Sequence, residues 1–224
     1  DDSSAIIIQL FNGLVEASTA MEIMPNVAKS WEISEGGRRY IFYLRDDVYW
    51  SDGVPVTAMD FEYAWKRTLD PQSGSPNAEL LYDIKGGKAF HKGEISTPDL
   101  LGIHSPDERT LVVELEGPTG YFLSLLAYTA TYPIPQHILE IYGEKWTQTD
   151  NFISNGAFIL KDWKQGESMI LRHNPEYHNL TRGNLQEVEH SFDIDKLVAQ
   201  ELYECNKLDI IGLGDSVPSQ CDHA

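Results

Sequence analysis

The side chains in this chain that could do chemistry are plentiful but poorly arranged for it. Seven histidines are scattered at His91, His104, His137, His173, His178, His190 and His223. His173 and His178 form the nearest pair, on either side of Asn174-Pro175. A helix presents two metal ligands on one face at i,i+4, and this spacing across a proline does not, so the pair reads as ordinary polar surface. Glu187 and Glu189 lie two apart on a predicted strand and share a face, yet nothing marks them as a glycosidase acid and base. Cys205 and Cys221 lack metal-type spacing. Cys205 is expected to be a buried thiol on a helix face, with a disulfide to Cys221 as the alternative. GxSxG, P-loop, GxGxxG and HExxH signatures are absent, so neither an enzyme nor a cofactor is expected.

Charge narrows what could be recognised. The 224 residues carry 17 basic and 35 acidic side chains, a formal charge of −18. Such a surface repels phosphate backbones and anionic lipid, which argues against nucleic acid as a partner. It either keeps the protein soluble or favours cationic ligands. The length suffices for a core in one or two domains. No apolar run reaches membrane-spanning length. The opening Asp1-Asp2 lacks the charged and apolar regions of a leader peptide, so a chain with its leader already removed, or cut, is expected.

Several elements must position any recognition site. The sharpest is the stretch Trp50-Ser51-Asp52-Gly53-Val54-Pro55-Val56-Thr57. Ser51-Asp52-Gly53 is a turn, and Pro55 holds Val54 extended. Thr57 and Asp60 then read as a capping box opening a helix over 57–69. That helix should bury Ala58, Phe61, Trp65 and Leu69 and pair Glu62 with Lys66 outside. Ser75-Pro76 predicts a second helix running through Leu81 towards Ile84. Residues 5–14 read as a short apolar strand or helix entering the turn Phe11-Asn12-Gly13-Leu14.

Further strands are expected at 38–45 after the turn Ser34-Glu35-Gly36-Gly37, with Tyr40, Phe42 and Leu44 on one face. Another covers 110–116, with Leu111, Val113 and Leu115 inward. Helices are expected at 121–128 and 136–142, the latter closed by Gly143. A hairpin joins 158–163 to 168–172 through Gln165-Gly166-Glu167. A strand at 188–194, a helix at 195–208 and a strand at 209–211 have the order of a βαβ unit. The five tryptophans are expected in packing roles. The fold class is α/β, mixed α+β.

The wording of these segments resembles the extracytoplasmic solute-binding proteins of ABC importers, oligopeptide/dipeptide-binding family (family 5). It is carried by Leu10-Phe11-Asn12-Gly13-Leu14, Ala28-Lys29-Ser30-Trp31-Glu32, Trp50 to Phe61, and Tyr63-Ala64-Trp65-Lys66-Arg67. Pro133-Ile134-Pro135, Ser154-Asn155-Gly156-Ala157-Phe158, Asn174-Pro175 with Tyr177, and Leu208-Asp209-Ile210 continue it in order. The resemblance implies a type II periplasmic-binding-protein-like fold, with only the first lobe present. Residues 1–20 plus 146–224 would form an incomplete ligand-facing domain, and 21–145 an inserted α+β domain.

It implies capture of an oligopeptide between two lobes and delivery to ABC permease subunits, without catalysis. It also implies a monomer in the periplasm or on the cell surface, touching the membrane only through a lipid anchor. Family contacts map to Ser3 and Ser4, to Asn77, where close relatives carry tyrosine, and to Gly212, where they carry an aromatic. Asn155 and Gly156 are candidate cleft-rim residues, since glycine permits close backbone approach. The alternative is a turn glycine beside an asparagine bonding its own loop. Other solutes in the family's range are nickel, haem and oligosaccharide, and a peptide-pheromone receptor is a further reading.

Overall fold

Alternating burial of side chains along the central strand of the larger sheet decides which way the sheet faces. The structure, a computed structural model, describes residues 2–178 and 184–211. Helix α1 (Asp2–Leu10) leads to a ribbon of β1 (Val15–Ala17) and β2 (Ile23–Pro25), followed by β3 (Ala28–Ser34) and β4 (Arg39–Leu44). Helices α2 (Ala58–Leu69) and α3 (Gly87–His91) precede β5 (Ile103–Asp107) and β6 (Thr110–Glu114). The four strands β3-β4-β6-β5 form one antiparallel sheet. Its register sets Tyr40 opposite Val113 and Phe42 opposite Leu111, all buried on one face as the period-2 pattern requires.

Helix α2 packs its apolar stripe against this sheet. Ala58, Phe61, Trp65 and Leu69 have no exposed surface. Each large side chain so buried stabilises by ~1.5–3 kcal/mol. The Trp65 indole N–H donates to the Thr131 carbonyl at 2.7 Å, so burial leaves no polar group unpaired. At its start, the Thr57 amide and hydroxyl both donate to the Asp60 carboxylate, at 2.8 and 3.1 Å. The expected capping box is therefore present. Glu62 takes Lys66 at 2.6 Å and the Ser105 amide at 2.7 Å, so the expected outer pair is half-buried and ties α2 to β5.

The second half is built from α4 (Phe122–Leu125), α5 (Gln136–Tyr142), β7 (Phe158–Lys164), β8 (Ser168–His173), β9 (Glu187–Ser191) and α6 (Lys196–Glu204). Strands β7-β8-β9 form a three-stranded antiparallel sheet. Among the described residues no helix is long and apolar enough to cross a membrane.

Four expectations need correction. The helix after Ser75-Pro76 is only a 3₁₀ turn, Ala78–Leu81. Ser75 there accepts the Asn77 amide in a local turn, and Ile84 is drawn into a bridge with Leu115. The 121–128 helix shrinks to α4, because Tyr128 turns extended and Thr131 satisfies the Leu126 and Tyr128 carbonyls with its hydroxyl. The described part of 188–211 forms no βαβ unit. β9 runs antiparallel to β8, and Ile210, 86% exposed, has no strand beside it to bond. Cys205 is exposed rather than buried, because α6 turns little of its apolar face inward. Cys221 and any pairing with it lie outside the described residues.

Candidate functional site

The turn that opens with Trp50 docks onto a loop from the far end of the chain. Gly53 at φ +86° and the Gly53 amide bonded to the Trp50 carbonyl close the turn. The Ser51 amide donates to the Ser154 carbonyl at 2.8 Å, and the Ser154 amide returns a bond to the Ser51 hydroxyl at 3.2 Å. Trp50, 1% exposed, sets its ring edge-on to Phe11 at 6.3 Å between centroids. The residues next to Ser154 are Asn155 and Gly156.

Those two residues sit in a buried web of amides. Asn155 is 1% exposed. Its Oδ1 accepts the Asn12 amide at 3.0 Å, and its Nδ2 donates to the Asn12 carbonyl at 3.2 Å. The Asn12 side chain donates in turn to the Tyr177 hydroxyl at 3.0 Å and accepts Nδ2 of Asn26 at 3.3 Å. Asn26 also donates to Glu16 at 2.9 Å, and its Oδ1 meets His178 Nε2 at 3.2 Å. The Gly156 amide donates to the Leu10 carbonyl at 2.8 Å, and its own carbonyl accepts Asn174 Nδ2 at 2.9 Å. A Cβ at Gly156 would lie 2.5 Å from the Leu10 carbonyl carbon, so only glycine lets these backbones meet.

Electrostatics follow from the burial. Burial first, and the Arg45 guanidinium second, push His178 down to about 4, with Asp47 pulling the other way. The imidazole is therefore neutral near pH 7, donating through Nε2 or accepting at Nδ1 as its partners dictate. Burial also raises the Tyr177 phenol, against the pull of its bond from Asn12. The web is positional: it fixes the end of α1, the Trp50 turn, the loop before β7 and the loop after β8 against one another.

The other sequence candidates fall elsewhere. Ser3 and Ser4 lie in α1, whose last carbonyl receives Gly156, and Ser4 is half-buried. Asn77 is exposed in its turn, and no hydrogen bond joins it to the web. Gly212 lies outside the described residues. His173 stacks edge-on against Phe158 while His178 serves Asn26, so the two rings have separate partners. Among the described residues no cluster of three His, Cys, Asp or Glu side chains forms a metal cage. Sequence reasoning missed Asn12, Asn26, Asn174 and Tyr177. Asn12 precedes Gly13 and Asn174 precedes Pro175, contexts that look like ordinary turns until their burial is known.

Beside the web lies an apolar groove of about 690 Å³ between α1, β7, β8 and the segments around 132 and 146–152. Trp146 and Trp163 line it, and among the described lining residues only Asp193 is charged.

Residues 22–217 match the family described as Bacterial extracellular solute-binding proteins, family 5 Middle. The chain belongs to this family. It is 36% identical over 210 residues to the Probable deoxycholate-binding periplasmic protein YgiS of Escherichia coli (strain K12), covering 93% of this chain and 39% of the relative. It is 36% identical over 209 residues to the Periplasmic oligopeptide-binding protein OppA of the same organism, covering 92% and 38%. Among solved structures, OppA of Burkholderia pseudomallei superposes with a TM-score of 0.87 at 32% identity, over 93% of this chain and 41% of that one. The fold is therefore the mixed α/β fold of one lobe of a type II periplasmic binding protein. The family 5 chain spans about two fifths of the length of these relatives. Family membership also puts its working place outside the cytoplasm.

Proposed function

We propose that this family 5 chain forms the first lobe of a protein that captures oligopeptides in an interlobe cleft and presents them to the permease subunits of an ABC importer. The observation carrying this reading is its likeness, along nearly the whole chain, to the Periplasmic oligopeptide-binding protein OppA. Capture needs no bond chemistry: an extended peptide is held through main-chain hydrogen bonds, and hinge closure signals the loaded state. In this reading residues 1–20 plus 146–224 face the ligand and 21–145 are inserted. The separation of the two larger sheets, one within 28–114 and one within 158–191, supports that division. Ser3, Ser4, Asn77 and Gly212 are the cleft-facing positions. Asn155 and Gly156 act as positioning residues that hold the cleft rim. The binding unit is a monomer, and membrane attachment is through a lipid anchor.

A second reading, capture of a steroid acid, takes its support from the likeness to the Probable deoxycholate-binding periplasmic protein YgiS. The formal charge of −18 weighs against an anionic solute, because its approach is opposed electrostatically. Titration calorimetry on the whole protein separates the readings, with a mixed peptide library set against deoxycholate, nickel, haem and cello-oligosaccharides. Peptide heat with none from the others is the expected result. Deoxycholate, metal, haem or sugar binding in the absence of peptide heat would sink the peptide reading.

A further inference from the structure

The buried web of amides encloses a reactive dipeptide. The sequence has two Asn-Gly steps, Asn12-Gly13 and Asn155-Gly156, and the fold sets the two asparagines against each other. Asn-Gly loses its side-chain amide more readily than other asparagine steps. Glycine has no side chain to shield its nitrogen, and it lets the backbone bend towards the asparagine side chain. In that reaction the glycine nitrogen bonds to the asparagine Cγ, the Cγ–Nδ2 bond breaks, and ammonia leaves with the glycine amide proton. Water then opens the cyclic imide to aspartate or isoaspartate. Water is the sole co-reactant.

In the folded chain every participant at 155–156 is already engaged. The nucleophile, the Gly156 nitrogen, gives its proton to the Leu10 carbonyl at 2.8 Å, and that bond favours the unreactive protonated amide. The leaving group, Nδ2 of Asn155, donates to the Asn12 carbonyl at 3.2 Å, while Oδ1 accepts the Asn12 amide at 3.0 Å. Asn174 Nδ2 holds the Gly156 carbonyl at 2.9 Å. Asn155 is 1% exposed, so water and base are kept from it. The products do not fit this setting. Aspartate would turn an oxygen towards the Asn12 carbonyl oxygen, two acceptors with no proton between them. Isoaspartate would lengthen the backbone where a Cβ on Gly156 already falls 2.5 Å from the Leu10 carbonyl carbon.

We infer that Asn155 is a site of spontaneous deamidation gated by the web: closed while Asn12 and Leu10 hold it, and reactive when the end of α1 parts from the loop before β7. The chemistry is slow beside local opening and closing, so its rate in the folded protein is the unfolded rate multiplied by the fraction of time the web is open. Reaction makes a transient opening permanent, because the Asn12–Asn155 bonds cannot re-form. The lifetime of the folded protein is then set by a rate, whatever solute the cleft carries.

Peptide mapping by mass spectrometry tests this on the whole protein, incubated at mildly alkaline pH with and without urea. The amide-to-acid mass change at Asn155 should accumulate at least ~100-fold more slowly in the native protein than in urea. Tyr177→Phe leaves Asn155-Gly156 intact but removes the hydroxyl that accepts Asn12 Nδ2. It should raise the native rate by ~3-fold or more and leave the rate in urea unchanged. Asn155→Asp, a direct mimic of one product, should lower hydrogen-exchange protection of the Asn12 and Gly156 amides by at least ~10-fold. Equal rates in the native protein and in urea, or no reaction in urea, would overturn the inference. So would a native rate that Tyr177→Phe leaves untouched.

Discussion

The two sheets of this molecule share a chain and differ in how completely they are enclosed. In the 28–114 sheet, Phe42, Leu111 and Val113 are sealed under α2, whose Phe61 and Trp65 have no exposed surface. In the 158–191 sheet, Met169 and Leu171 are buried, but Leu160 and Trp163 are half-open to the groove, and α6 stands with its apolar face in solvent. The first region completes its own core from local sequence: a hairpin, a capped helix and a two-stranded return. The second is joined to the first through the Ser51–Ser154 bonds and the amides of Asn12, Asn155 and Gly156, beside an apolar cluster that Met169 and Leu171 share with Phe11 and Trp50. A polar web can fix position without supplying much area, which is why it is found where the second sheet has little core to offer.

The contrast is open to attack, from the largest expected effect downward. Trp65→Ala should destabilise the chain by about 4 kcal/mol in urea unfolding, as a sealed aromatic does when it leaves a cavity. Trp163→Ala in the groove should cost only about 1 kcal/mol, since its ring already meets solvent. Equal losses at the two tryptophans would abolish the distinction between the sheets.

Gly156→Ala tests the web that links them. The added methyl meets backbone atoms at 2.5 and 2.6 Å, which cannot yield as a side-chain tip can. About 2–3 kcal/mol should be lost, with hydrogen-exchange protection falling at both the end of α1 and the Trp50 turn. A loss confined to one of those segments would mean that the web does not couple the regions.

The imidazole of His178 offers a pH test of the same web. Its folded value of about 4 lies below the ordinary 6.5, so the unfolded chain binds more protons between the two. Stability from this group is full above about pH 6.5 and is lost as pH falls through 4. The effect should be on the order of 1 kcal/mol, allowing for solvent screening at a half-buried ring. His178→Gln should flatten this part of the stability–pH curve while leaving the carboxylate-driven part below pH 4. An unchanged curve would show that the ring is not held neutral by its surroundings.

The smallest effect should come from the exposed pair across the second sheet, Lys161 with Glu187 at 2.6 Å. Lys161→Ala should change stability by no more than ~0.5 kcal/mol, because both side chains are about half exposed and water competes for them. A loss above 1 kcal/mol would mean that charge pairing holds this sheet together after all.

Much of the first region could be read directly from residue order. Thr57 with Asp60, the stripe from Ala58 to Leu69, and the alternation of Tyr40, Phe42 and Leu44 each depend on neighbours a few residues away, so local periodicity carries them. The elements that departed from expectation were those decided by distant partners. Ser75-Pro76 has the residues of a helix start, but the Ile84–Leu115 bridge claims the following segment. The apolar spacing of α6 predicts a covered helix and a buried Cys205, yet Leu197, Val198, Tyr203 and Cys205 are exposed. Of the candidate site, Asn155-Gly156 stood out in the sequence, while Asn12, Asn26 and Tyr177 did not.

By itself, then, the order of residues determined the mixed α/β class, the capped helix beside the Trp50 turn, and the family to which both belong. These rest on short-range rules of backbone and periodicity that act within one turn or one strand. Only the tertiary structure decided that Asn155 and Gly156 spend their polar groups on Asn12, Leu10 and Asn174. It alone revealed that the second sheet borders an open apolar groove. Burial and long-range hydrogen bonding are properties of what the chain meets after folding, and no local pattern encodes the partner.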